Sequence, residues 1–230
     1  MKRNVVLLGK GKLAVRIAEW FHRSDAHELR WVVPVIPEPT WTDSLIDWCE
    51  RNNVEYVPSG DYHDLPGARA ADWSVDIAFS VFYDKIIKEW FIEKARRICN
   101  LHNGPLPRYR GVSPINWALK NGETSHGVTI HEITPRIDAG PIISQLDYSI
   151  CPESDEVEDV YQRALEYGYT LFERTMPNLD KISPRPQDES QAMYYSRKDD
   201  AKLGDRRDFR RALLVQMENG GERSGMCFGE

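Results

Sequence analysis

Asn100 and His102 stand two residues apart at the end of a short apolar run, residues 98–102, just before a Pro/Gly-rich stretch at 103–112. On a strand, residues two apart face the same side. At a strand's C-terminal end, where open α/β sheets place their ligands, an amide beside an imidazole suits carbonyl chemistry. The amide polarises an oxygen and the imidazole handles a proton. Asp138 follows His102 by 36 residues and precedes Ala139-Gly140 in a loop between two apolar runs. A carboxylate there can orient an imidazole and stabilise its charge. Taken singly, these signals have ordinary readings: an Asn and a His near a loop satisfy backbone groups, and Asp-Ala-Gly makes a turn.

A second signal is Gly9-Lys10-Gly11-Lys12-Leu13-Ala14, a G-x-G-x-x-A pattern after a strand and opening a helix. Bare amides at such a helix start can face a phosphate, with Lys10 and Lys12 adding charge. A dinucleotide fold also wants an acidic residue at the end of the second strand. Pro37-Glu38-Pro39 is a poor ribose hook. A tight strand–helix turn with no ligand explains the pattern equally well.

These residues need a scaffold, and the alternation of elements supplies one. Strands are expected at 4–8, 31–36, 55–57, 75–80 and 98–102. Helices are expected at 12–22, after an N-cap at Thr42, and around Ile86, Ile87, Trp90 and Phe91. Strands alternating with helices predict a mainly parallel, doubly wound α/β sheet. Beyond His126 two more strands are expected, around 128–133 and 142–148. A long helix capped by Ser154 then carries Val157, Val160, Tyr161, Ala164, Leu165, Gly168, Leu171 and Phe172 on one apolar stripe and stops before Pro177. His126 and His131 read as structural. Residues 181–211 change character, with nine Lys+Arg against six Asp+Glu. A short helix is expected at 211–217 and a loose tail at 218–230.

Composition bounds the function. With 41% hydrophobic and 29% charged residues, the 230-residue chain folds. Its 30 Lys+Arg against 36 Asp+Glu argue against broad non-specific nucleic-acid binding. Four scattered cysteines form no C-x-x-C pair, which points to a reducing compartment, no disulfide framework and no metal site. The apolar run at 5–8 is too short for a signal peptide and no run approaches membrane-spanning length, so the cytoplasm is the expected location and no membrane partner is expected.

Four motifs in one order, Asn100-x-His102, Pro-Leu-Pro-x-x-Arg-Gly at 105–111, Gly127-Val-Thr-x-His131 and Asp138-x-Gly140-x-Ile142, resemble the formyltetrahydrofolate-dependent formyltransferases. The resemblance covers roughly residues 1–175 and implies a Rossmann-like catalytic domain over 1–180 with a C-terminal extension at 181–230. It also implies 10-formyltetrahydrofolate as cosubstrate and Asn100, His102 and Asp138 as the catalytic trio. It places the pterin on Phe82, Tyr83 and Ile86 together with Arg136, Ile137 and Asp138. The family's Ser-Leu-Leu-Pro loop stands here as Gly104-Pro-Leu-Pro107, which removes a hydroxyl and stiffens the loop.

Within the family, 50 residues after the long helix are too few for the barrel of methionyl-tRNA formyltransferase. The glycine turn lacks the Gly-Ser-Asn loop of glycinamide ribonucleotide formyltransferase. The chain is most similar to the sugar-nucleotide N-formyltransferases, which act on dTDP- or UDP-linked amino sugars for lipopolysaccharide O-antigen and related surface glycans. That likeness implies substrate contacts at Lys10, Gly104, Pro105, Tyr109, Tyr195 and Arg197. Tyr194 and Tyr195 suit stacking on a base, and Arg197 and Lys198 suit a diphosphate. A solvated charged appendage is the competing reading of the same segment. A homodimer is expected by analogy. Formylation of another small amine, an NAD(P)-dependent oxidoreductase built on the glycine turn, and a non-catalytic nucleotide-sugar binder stay open.

Overall fold

The computed structural model describes residues 2–208; the helix expected at 211–217, the tail at 218–230 and Cys227 lie outside them. In chain order the elements are β1 (Arg3–Gly9), α1 (Gly11–Arg23), β2 (His27–Pro34), α2 (Leu45–Asn52), β3 (Val75–Val81), α3 (Glu89–Ile92), β4 (Ala95–His102), β5 (Arg110–Gly111), α4 (Pro114–Lys120), β6 (Ser125–Glu132), β7 (Ile142–Ser149), α5 (Val157–Thr175) and β8 (Tyr194–Tyr195). The main sheet is mixed and mostly parallel, in the order β2-β1-β3-β4-β6-β7. This is the Rossmann-like arrangement expected from the alternation of strands and helices.

The chain divides into two compact units, residues 1–102 with 130–140, and residues 103–129 with 141–230; β6 runs through the division. The boundary expected at 180/181 does not coincide with it. In the first unit, β1 pairs in parallel with β2 on one side and β3 on the other, and β3 pairs with β4. Strand order therefore reverses direction between β1 and β3, a topological switch point of the kind that opens a crevice at the strands' C-terminal ends.

The sheet is buried on both faces. Val6, Leu8, Val33, Ala78 and Ile98 pack with Tyr62 and Phe91 into one cluster. Alternate residues Val5, Leu7 and Phe79 are equally buried, and Phe79 meets Phe21 of α1 edge-on with ring centroids 6.4 Å apart. Burying each such side chain contributes about 1.5–3 kcal/mol. Gly9 is required where β1 ends: a Cβ there would lie 2.3 Å from the Val81 carbonyl oxygen, which instead accepts the Lys10 N–H at 3.2 Å.

Several boundaries differ from the sequence reading. The strand expected at 55–57 is reduced to one bridge between Val32 and Tyr56. The helix expected around 86–91 is the single turn α3, because Ile87 and Phe91 are buried while Ile86 is exposed. Ser44 caps α2 in place of Thr42, accepting the Asp47 N–H at 3.0 Å. Glu156 caps α5 in place of Ser154, through a reciprocal box with Asp159.

The second unit holds α5 with its expected apolar stripe buried, except for the half-buried Tyr161. Residues 181–208 are tied into this unit, so they are not a loose appendage. β8 pairs in parallel with β5, and Arg185 and Ile142 exchange backbone bonds of 2.8 and 2.9 Å. The buried Arg110 guanidinium donates to Gln187 at 2.7 Å and to Glu189 at 2.9 Å. Leu203 is buried, Asn116 donates to the Arg206 carbonyl at 2.6 Å, and the Arg206 guanidinium donates to the Pro152 and Asp155 carbonyls.

Candidate active site

β4 carries Asn100 and His102 at its C-terminal end, in register with Ser80 and, through Leu101, with Val81 of β3. The imidazole is only 7% exposed. β6, the next strand in the sheet, ends with His131 and Glu132, and the chain then turns through residues 133–140. Two features fix that turn. Asp138 adopts a left-handed backbone with φ of 51°, a conformation costing about 1–3 kcal/mol in a non-glycine residue and found where the surroundings enforce it. Gly140 packs so closely on β6 that a Cβ would lie 1.8 Å from the Glu132 carbonyl oxygen, leaving room for glycine alone.

The result is a partly buried carboxylate between two imidazoles. Asp138 Oδ2 lies 3.6 Å from His102 Nδ1, and its Oδ1 lies 3.5 Å from His131 Nε2. The rings of His102 and His131 stand nearly perpendicular, with centroids 6.3 Å apart. His131 is 2% exposed and Asp138 12%, so their mutual electrostatics act in a weakly screening environment.

His131 also sets the orientation of Asn100. Its Nδ1 lies 2.8 Å from the Glu132 carbonyl oxygen, which only accepts, so Nδ1 carries the proton. In the neutral ring Nε2 then accepts from Asn100 Nδ2 at 3.2 Å. The hydrogen-bond network thereby assigns the amide nitrogen to the His131 side, and its second N–H remains to donate to a substrate oxygen. Sequence reasoning took His131 for a structural strand residue although it ends the Gly127-Val-Thr-x-His131 motif; its place beside Asn100 comes from the adjacency of β4 and β6.

The segments expected to hold a pterin lie at the same edge of the first unit or in the turn before Asp138. Phe82 follows β3 with φ of 56°. The Tyr83 hydroxyl donates to the Gly60 carbonyl at 2.8 Å, and burial pushes its pKa well above the ordinary phenol value. Ile86 is 57% exposed and Ile137 43%, while Arg136 is exposed.

The residues expected to hold substrate separate by unit. In the first unit, both oxygens of Asp84 meet the Lys10 ammonium at 2.7 and 2.8 Å. In the second, Gly104 and Pro105 are buried, and the Gly104 carbonyl accepts the Thr129 hydroxyl at 2.7 Å. Arg197 and Lys198 are exposed.

Tyr109 and Tyr195, both expected to contact substrate, pack within the second unit. Tyr109 is completely buried, its hydroxyl donating to Glu123 at 2.6 Å. Tyr195 stacks on Trp117 with centroids 4.2 Å apart and lies parallel to Tyr109 at 5.9 Å. Their ring faces pack the second unit internally. Tyr194 is the exposed member of the pair.

The glycine turn does not fit a dinucleotide. The Lys12 N–H at the start of α1 donates to the Thr42 hydroxyl at 3.0 Å, so that side chain takes a place that an anion would need. The Glu38 carboxylate accepts the Leu45 N–H at 2.8 Å and the Ser44 hydroxyl, capping α2. It is committed to the protein and is not a ribose hook. Among the described residues, no group of three or more His, Cys, Asp or Glu is arranged to hold a metal, and no helix is long and apolar enough to cross a membrane.

Asn100, His102 and Asp138 thus come together at the C-terminal edge of a Rossmann-like sheet, with His102 buried and the other two partly exposed. The family model "Formyl transferase" matches residues 29–176, and the chain belongs to that family. Solved structures agree. The chain is 27% identical to an N-formyltransferase from Helicobacter canadensis in complex with folinic acid and dTDP-3-aminofucose, over 86% of this chain and 72% of that one, with a TM-score of 0.73. It is 28% identical to WlaRD, a sugar 3N-formyl transferase solved in the presence of dTDP and 5-N-formyl-THF (86% and 71% covered, TM-score 0.74). It is 27% identical to the formyltransferase PseJ from Anoxybacillus kamchatkensis in complex with UDP-4,6-dideoxy-4-formamido-L-AltNAc and tetrahydrofolate (86% and 88% covered, TM-score 0.57).

Proposed function

We propose that this protein transfers the formyl group of 10-formyltetrahydrofolate to the amine of a nucleotide-linked amino sugar. The observation that carries the reading is the Asp138 carboxylate set between His102 and His131, with Asn100 held by His131. Support for the substrates comes from the relatives, whose structures hold folates with dTDP, a dTDP-linked amino sugar or a UDP-linked formamido sugar. Main chain at 82–86 and 136–138, flanked by the exposed Ile86 and Ile137, suits the flat ring of a pterin. Bound there, the folate supplies an activated formyl carbon.

The protein's part follows from the geometry. An amine attacks only when unprotonated; His102 accepts the proton released as the new C–N bond forms and passes it to N10 of the folate as the formyl C–N10 bond breaks, so that tetrahydrofolate leaves. With His102 Nδ1 facing Asp138, the carboxylate stabilises the imidazolium. Asn100 donates its second N–H to the reacting carbonyl oxygen as negative charge builds there. Burial strengthens both effects. Lys10 supplies a cationic partner for a diphosphate; dTDP-4-amino-4,6-dideoxyglucose is the lead substrate and a precursor of lipopolysaccharide O-antigen the expected product class.

The test is mass spectrometry of a panel of dTDP- and UDP-linked amino sugars incubated with protein and 10-formyltetrahydrofolate. A formyl mass gain on at least one sugar is expected. No gain on any sugar, with gain on glycinamide ribonucleotide or another small amine, overturns the sugar assignment.

A further inference from the structure

Trp41 is the most exposed large apolar residue described, 64% exposed, yet the backbone around it is held from both sides. Its loop leaves β2 where the Val35 N–H donates to the Gly9 carbonyl at 3.1 Å. It closes where Thr42 accepts the Lys12 N–H at 3.0 Å, and the Glu38 carboxylate ties the preceding residues to the start of α2 through Ser44, Leu45 and Ile46. This indole stands largely exposed on a loop tied at both ends. It is well suited to receive a flat ring.

Its place along the sheet edge is the second observation. From β4 outward the order is Asn100 and His102, then β3 with Asp84 after it, then β1 with Lys10, then the loop from β2 that carries Trp41. Strands are about 4.8 Å apart, so Lys10 follows a strand some 10 Å from the reacting edge of β4 and Trp41's loop starts a further strand away. Lys10 and Asp84 flank the β1/β3 switch point, where α/β sheets open a crevice. Reactive amine, diphosphate and base occur in the same order in a nucleotide sugar as reacting edge, cation and indole occur here.

Resting on the sugar-nucleotide reading above, we infer that Trp41 is the platform on which the nucleobase of the substrate stacks, with the diphosphate drawing Lys10 away from Asp84. Stacking on an indole tolerates any base, so Trp41 sets affinity for a nucleoside while leaving the choice between thymine and uracil to other contacts. Tyr195, one of the two tyrosines expected to stack on a base, is engaged within the second unit by Trp117 and Tyr109.

The experiment is calorimetric binding of dTDP, UDP and inorganic pyrophosphate to the wild type, Trp41→Ala and Trp41→Phe, beside steady-state kinetics. Trp41→Ala is expected to weaken both nucleoside diphosphates roughly ten-fold or more and pyrophosphate not at all, with Trp41→Phe recovering most of the loss. In turnover the effect is expected in KM for the sugar nucleotide and not in kcat. Unchanged dTDP and UDP binding in Trp41→Ala overturns the platform, as does an equal loss for pyrophosphate. So does sedimentation showing that Trp41→Ala dissociates a dimer, which would make the indole an interface between copies. Absence of formyl transfer to every nucleotide sugar by the wild type is the separate outcome that overturns the reading of the reaction.

Discussion

His131 Nε2 lies 3.2 Å from Asn100 Nδ2, and that bond decides which end of the Asn100 amide meets the reacting oxygen. Without it the amide can turn and present its carbonyl, an acceptor facing an acceptor. His131→Ala is therefore expected to lower kcat by about ten-fold or more, short of the 10²–10³-fold typical of losing an oxyanion donor itself. KM for the sugar should hardly move. His131→Gln, which keeps an acceptor within reach of Asn100, should recover part of the rate. Steady-state kinetics on the three proteins check this, and equal losses in the Ala and Gln variants would point to a packing role alone.

Gly140 is the hinge-pin of the Asp138 turn. A methyl group at this position would overlap the Glu132 carbonyl, whose oxygen is backbone and cannot swing aside. Gly140→Ala should cost about 1–3 kcal/mol, the usual range for overpacking, and should move Asp138 away from both imidazoles. Denaturant unfolding and a single-turnover assay read the two effects. Wild-type values in both would mean that the turn is less constrained than its geometry requires.

How far the site was legible can be traced residue by residue. Asn100, His102 and Asp138 stand out because each sits where a strand ends or a loop turns, and their spacing survives in the linear chain. His131 ends the Gly127-Val-Thr-x-His131 motif, but its place beside Asn100 depends on β4 and β6 lying side by side, a non-local pairing. The glycine turn was legible as a strand–helix junction, but its apparent anion site was not: Thr42, thirty residues away, occupies the Lys12 N–H. The same tertiary contact explains why Thr42 does not cap α2, where Ser44 serves. That Trp117 and Tyr109 lie against the ring of Tyr195 is likewise a tertiary contact that its local sequence does not report.

Asp61 gives a pH signature away from the site. The His63 N–H bonded to it, followed by the His63 ring and the Lys85 ammonium, holds its carboxyl down at about 2 against an ordinary 3.8. A carboxyl whose pKa is lower in the folded state stabilises the fold above the unfolded value and loses that contribution as pH falls through the folded one. Asp61→Ala should be less stable than wild type at pH 7, with the gap shrinking as pH falls from about 4 towards 2. Urea unfolding from pH 3 to 7 tests this; a gap independent of pH would mean that the side chain acts through packing.

Cys49 and Cys99 are buried free thiols, and burial pushes both up to about 12. Neither should react with a disulfide reagent in the native protein at pH 8, where the thiolate is scarce and the sulfur covered. Cys151 is partly exposed and should react first among the described cysteines. Native thiol counting with mass mapping distinguishes them; rapid labelling of Cys99 would show that the first unit opens readily around β4.

The central claim is that Asn100, His102 and Asp138 perform formyl transfer, and single-turnover rates test it most directly. Wild type, Asn100→Ala and His102→Ala are each preloaded with 10-formyltetrahydrofolate and mixed with a saturating amino-sugar nucleotide that the wild type formylates. Rates should fall about 10²–10³-fold for Asn100→Ala and 10²–10⁴-fold for His102→Ala, with folate binding retained. Transfer at near wild-type rates in either variant would contradict the account.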